Sequence, residues 1–178
     1  MSYLALGLVI TDHGILTSML VVISMITGDF LAVSSTTDNV RPSKEPNTWK
    51  IGRLTIAGAV LGLFDLAFCV GVLFIGKSFL KLDLDALRTL TLVNLVISGQ
   101  AVYYVVRERR RIWSSRSSTT VLVCSFADLL FVPTLALTGC LMAPLSLSLI
   151  LSIAAAAALF TFALDEAKAR VFAALDIQ

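Results

Sequence analysis

The chain has 178 residues, 57% of them hydrophobic and 15% charged, with a mean hydropathy of +0.90 and a formal net charge of +2. That balance excludes an ordinary soluble domain, and so small a net charge gives no independent support to nucleic-acid binding. It is the composition of a membrane protein.

The first apolar run, 3–10, has eight residues and would make a helix of only about 12 Å. A span of the ~30 Å hydrocarbon core needs about 20 residues, so this run cannot cross. No Lys or Arg precedes Arg41, which leaves the run without the basic region of a cleavable signal peptide. It reads as the tail of a longer helix, and the polar turn "TDHG" leads from it into the next apolar run. Five runs of spanning length follow, at about 15–33, 54–75, 87–106, 120–137 and 145–164. Lipid cannot satisfy backbone N–H and C=O groups, and the alternation of a barrel strand is absent, so these runs predict helices. The fold class is therefore all-α: a polytopic transmembrane helix bundle of five full spans plus a short N-terminal helical stub.

The basic residues orient it. Alternate connections share a side, and one side receives Arg41, Lys44, Lys50, Arg53, Arg107, Arg109, Arg110, Arg111, Arg116, Lys168 and Arg170. The other receives Lys77, Lys81 and Arg88. By the positive-inside rule the first side is cytoplasmic and includes the C-terminus, which leaves the N-terminus outside. The cluster "RERRRIWSSR" follows a span directly, so it reads as a topology anchor rather than a nucleic-acid site, and Trp49 and Trp113 read as interfacial aromatics. Cys69, Cys124 and Cys140 are too scattered for a metal pattern and read as packing residues. The single histidine, His13, makes no metal site on its own.

Three carboxylates fall inside predicted spans: Asp29, Asp65 and Asp128. Each costs about 2.5–3.5 kcal/mol to insert, and such groups usually face the bundle interior or a watery cavity. Asp65 follows the pair Gly58 and Gly62, whose GxxxG spacing predicts a close helix contact, so Asp65 can serve packing or an ion path. Asp128 shares its helix with Pro133, which frees a carbonyl near Leu129. Asn94, Ser98 and Gln100 are potential interhelical hydrogen-bond partners. Asp29 has the richest setting: Thr27 and Gly28 precede it, Gly28 weakens the helix by about 1 kcal/mol relative to alanine, and "SSTTDN" continues with small oxygen-bearing side chains. A loosened helix beside a carboxylate is how transporters present oxygens to an ion.

Read to its end, "GDFLAVSSTTDNVRPSKEPNTWKIG" resembles the sixth membrane helix and following cytoplasmic loop of plasma-membrane proton-exporting P-type ATPases, bacterial members in particular. The likeness rests on the in-helix aspartate, the Thr-rich helix end, and Asp38, Val40, Pro42, Ser43, Pro46 and Trp49 at the family's spacing. "RERRRIWSSR" is similar to the loop after the family's eighth helix. The resemblance implies the end of the fifth helix and helices six to ten of a ten-helix pump, in the plasma (bacterial inner) membrane. It makes Asp29 the proton acceptor and donor, with Thr27, Asp65, Asn94, Gln100 and Asp128 as supporting polar residues. Gly28 and Phe30 depart from the Asn and Gly that usually flank this aspartate in plant and fungal members.

No "DKTG" phosphorylation site, "TGE" loop or GxxxxGK[ST] motif occurs in these residues. The expectation is therefore a chain that is not catalytic alone, with no cofactor of its own. ATP and Mg²⁺ would bind domains outside it, and its partners would be the lipid bilayer, a proton or other cation, and the N-terminal part of a split pump. The alternative from a different class is a non-catalytic multipass membrane protein or an inactive pump fragment that acts, if at all, as a scaffold or partner.

Overall fold

The computed structural model describes residues 2–38, 51–107, 112 and 116–174. Six helices account for nearly all of them, and no strand occurs among the described residues: α1 (Ser2–Thr11), α2 (Ser18–Ser35), α3 (Ile51–Ser78), α4 (Leu84–Val106), α5 (Thr119–Thr138) and α6 (Leu147–Ala174). Five of these are long and apolar enough to cross a membrane, and α1 is the short helix expected at the N-terminus. The chain is a multipass helix bundle.

The boundaries follow local chemistry. Thr11 ends α1 by donating its hydroxyl to the carbonyls of Gly7 (2.7 Å) and His13 (2.8 Å), and Asp12 turns the chain with φ at 58°. Thr17 caps α2 by accepting from the Leu20 N–H at 3.4 Å. At its other end the hydroxyls of Ser34, Ser35, Thr36 and Thr37 each donate to the carbonyl three residues back, at 2.6–2.9 Å. The Ser/Thr run thus satisfies the orphan carbonyls of a helix end rather than presenting free oxygens. Ser118 caps α5 at its start, and Gly139, with φ at 68°, closes it. The largest departure from the apolar runs is α6, which continues through "DEAKARVFAA"; those are strong helix formers, and Phe172 packs with Val105 and Leu164.

α4 is the axis of the bundle. It touches α2, α3, α5 and α6, with α2 against α5 on one flank, α3 against α6 on the other, and α1 leaning on α3. Its apolar window is 61% buried, against 17–28% in the other four spans. Leu90, Leu92 and Val93 of α4 meet Leu73 of α3 and Val132 of α5 in the dry centre, and Phe68 stacks on Phe160 with ring centroids 4.4 Å apart.

Polar contacts tie both ends. At one, Lys77 donates to the Ile10 carbonyl and Arg88 to that of Gly14 (3.0 Å), which anchors α1 and its turn to α3 and α4. At the other, Asp38 just past α2 accepts from Arg107, from the Tyr103 hydroxyl at 3.3 Å and from the Ser118 N–H at 2.9 Å. The ends of α2 and α4 and the start of α5 therefore meet on one carboxylate.

The predicted close contact at Gly58 and Gly62 is not made. Both lie exposed, and a Cβ at either would meet open space. The tight approach on α3 is at Gly76, where a Cβ would come within 2.7 Å of the Leu90 side chain. Trp49, Trp113 and most of the two basic loops lie outside the described residues.

Candidate functional site

α2, α4 and α5 line a half-open cavity of about 200 Å³ at membrane depth. Ser24, Thr27, Gly28 and Leu31 line it from α2, Gly99 and Gln100 from α4, and Asp128 from α5. Gly28 and Gly99 contribute no side chain, which keeps the space open between backbones that would otherwise be filled. Leu95 and Val96 of α4 complete a lining that is mostly apolar, into which the polar groups of Ser24, Thr27, Gln100 and Asp128 are set.

Asp128 is 5% exposed and accepts a hydrogen bond from the Gln100 side-chain N–H at 3.2 Å. Gln100 is equally buried, and its carbonyl oxygen has no partner. An amide that gives its proton to a carboxylate and keeps its own oxygen without a partner among the described residues retains acceptor capacity inside the bundle. Thr27, buried on the opposite wall, donates its hydroxyl to the Ser24 carbonyl at 3.1 Å, which leaves the hydroxyl's lone pairs available. One turn towards the basic end, Tyr104 donates to the Ser125 hydroxyl at 3.0 Å, and Tyr103 continues to Asp38. Polar side chains on α4 therefore run from the cavity to the Asp38–Arg107 pair.

Of the site residues expected from sequence, Thr27, Gln100 and Asp128 come together here. Asp29 does not point into this space. It is exposed on the outer surface of α2, among exposed Met25, Ile26, Phe30 and Val33, and has no hydrogen-bond or ion-pair partner among the described residues. The expectation of an inward-facing Asp29 is corrected by helix geometry: two residues is about 200° of rotation, so a buried Thr27 forces Asp29 outward. The cavity and Asp29 thus occupy opposite sides of the same helical turn. Asp65 and Asn94 lie elsewhere, between α1, α3 and α4, on the face of α4 turned away from Gln100.

Several functional-looking residues were not evident in the sequence. Arg107 and Lys168 counted only as topology anchors, yet both are buried in ion pairs, with Asp38 and with Asp165. The signal for the second was present as the three-residue spacing of Asp165 and Lys168 on one helix face. Asp38 gave no such signal, because its partners are 65 to 80 residues away in the chain. No group of three or more His, Cys, Asp or Glu side chains suited to a metal ion occurs among the described residues.

No family model matches the chain. It is similar to a protein of Methanocaldococcus jannaschii named "Putative cation-transporting ATPase", at 26% identity over 137 residues. The match covers 76% of this chain and 17% of that protein, so the chain spans about a sixth of the length of the relative it matches. The relative's name concerns cation transport and ATP.

Proposed function

We propose that this chain is a membrane-embedded part of a P-type cation-transporting ATPase that exports protons. The observation that supports it most is that one turn of α2 carries Thr27, which faces a half-open cavity shared with Gln100 of α4 and Asp128 of α5, and, on its outer side, Asp29, a carboxylate at membrane depth without a hydrogen-bond or ion-pair partner among the described residues. The named relative is consistent with this reading. Asp29 would carry the proton, while Gln100 and Asp128 would form a polar support behind it that lets α2 shift without losing hydrogen bonds.

A carboxylate facing lipid costs several kcal/mol, so the outer face of α2 asks for a polar or cationic group from another segment. In this proposal that face is covered by further membrane helices of the pump. ATP and Mg²⁺ would act at domains outside these residues, and a change of access driven there would load Asp29 from the basic, cytoplasmic end and release its proton on the other side. The membrane would be the plasma membrane, with the loops at 41–53 and 107–118 in the cytoplasm.

The test is ATP-driven acidification of vesicles in which this chain is reconstituted with the polypeptide that carries the phosphorylation site. Asp29→Asn should abolish pumping while ATP binding persists. Unchanged pumping would remove Asp29 from the mechanism.

A further inference from the structure

On the side of α4 opposite the cavity lies a second polar group that the pump reading does not use. Asp65 and Cys69 stand one turn apart on α3, and the thiol reaches the Asp65 carboxylate at 3.9 Å and the Ser98 hydroxyl at 3.4 Å. Ser98, Asn94 and Thr91 follow one another at four- and three-residue spacing, so they share one face of α4. Tyr3 closes the group from α1, its phenol beside Thr91 and Asn94 but outside hydrogen-bonding geometry. Thr91 and Asn94 are fully buried, and the Thr91 hydroxyl and both polar atoms of the Asn94 amide are without partners among the described residues. Three unpaired polar atoms at one place in a dry core are unusual, since each forfeits about 1–3 kcal/mol.

We propose that Asp65 is a second proton-binding site, with Ser98 and Cys69 as the groups beside its proton and Asn94, Thr91 and Tyr3 as the polar surround of those two. The groups facing Asp65 determine what it can take. On α3 the titratable neighbour is Cys69 and on α1 it is Tyr3; α4 presents only hydroxyls and an amide at this level. The stretch of α6 beside α3, around Phe160, carries no ionisable residue, and among the described residues no Lys, Arg or His faces the carboxylate. An ionised Asp65 would therefore lack a counter-charge, whereas a neutral acid finds an acceptor in the Ser98 hydroxyl. The step is proton transfer alone: a proton from water adds to one carboxylate oxygen, the neutral acid forms, and the same proton returns to water.

Infrared difference spectroscopy of the full chain in lipid nanodiscs tests this directly. A carbonyl band of a protonated carboxylic acid should vanish in Asp65→Asn, shift on transfer to D₂O, and move in Asn94→Leu, while Gln100→Leu on the opposite face of α4 leaves it in place. Cys69→Ser, which keeps a small donor, serves as the variant that folds if Asn94→Leu does not, and should also move the band. An identical spectrum for Asp65→Asn at every pH tested overturns the proposal. So does a band that ignores D₂O, since the proton would then not exchange, or a band removed by sodium or potassium but not by choline, since the site would then take a metal cation. None of these outcomes depends on whether the chain belongs to a pump.

Discussion

The ammonium of Lys168 donates to the carbonyl oxygen of Val105 at 2.8 Å while pairing with Asp165 at 2.7 Å. Val105 lies in the last turn of α4, where carbonyls have no helical partner, and the lysine of α6 supplies one. Asp165 in turn accepts from the Ile112 N–H at 3.3 Å, so the pair also holds the chain just beyond α4. Both side chains are at most 3% exposed. Lys168→Met should therefore cost about 3–5 kcal/mol, because it strands a buried carboxylate and a buried carbonyl. The double variant Lys168→Met with Asp165→Leu should recover much of that loss, since a buried pair replaced by apolar residues is often neutral. Denaturant unfolding in micelles, followed by helical circular dichroism, measures both.

Asp38 plays the corresponding part for α2. It accepts from Arg107, Tyr103 and the N–H of the α5 cap residue, and both charged side chains are 3% exposed. Asp38→Ala should loosen the junction of three helices, with amide exchange at Ser118 rising before global unfolding. Arg107→Lys should not restore wild-type protection, because an ammonium cannot reproduce the planar donor array of a guanidinium. Salt should change little, as a desolvated pair is poorly screened.

Asp29 leads to opposite expectations for stability and function. On the isolated chain it faces outward among Met25, Ile26, Phe30 and Val33 at membrane depth. Asp29→Leu should therefore ease membrane insertion of α2 by about 2.5–3.5 kcal/mol, the usual cost of such a group. Glycosylation-mapped insertion of α2, compared between wild type and variant, gives that difference. In an assembled pump the same substitution should remove transport.

The number and kind of helices were legible in the sequence because a bilayer forces the choice: runs near 20 apolar residues can only be helical. The rotational setting of each helix was not. In α2 both the lipid face and the core face are apolar, so nothing in the pattern said that Thr27 faces inward and Asp29 outward. The same ambiguity misplaced the contact on α3, where Gly58 and Gly62 have suitable spacing but Gly76 makes the approach. The pairing of Gln100 with Asp128 depends on which faces of α4 and α5 meet, and Asp38 with Arg107 depends on how the helix ends converge. Those relationships arise only from the packed bundle.

The Gln100–Asp128 pair offers the sharpest separation of a structural from a transport role. Gln100→Leu removes the donor that Asp128 uses and should cost about 1–3 kcal/mol, the penalty of a buried group left without its partner. Asp128→Leu should cost less, because the amide it strands is neutral. If the two residues only brace α4 against α5, the double variant should be close to wild type in stability, and a double-mutant cycle should return nearly the whole single-variant loss as coupling. If the roughly 200 Å³ cavity is hydrated, the single variants should be milder, since water can replace the missing partner. Thermal unfolding of the four proteins in one lipid composition distinguishes the cases. A coupling near zero would mean that Gln100 and Asp128 act through the cavity rather than through each other, which would move Asp128 from the support of α2 to the path of the transported ion.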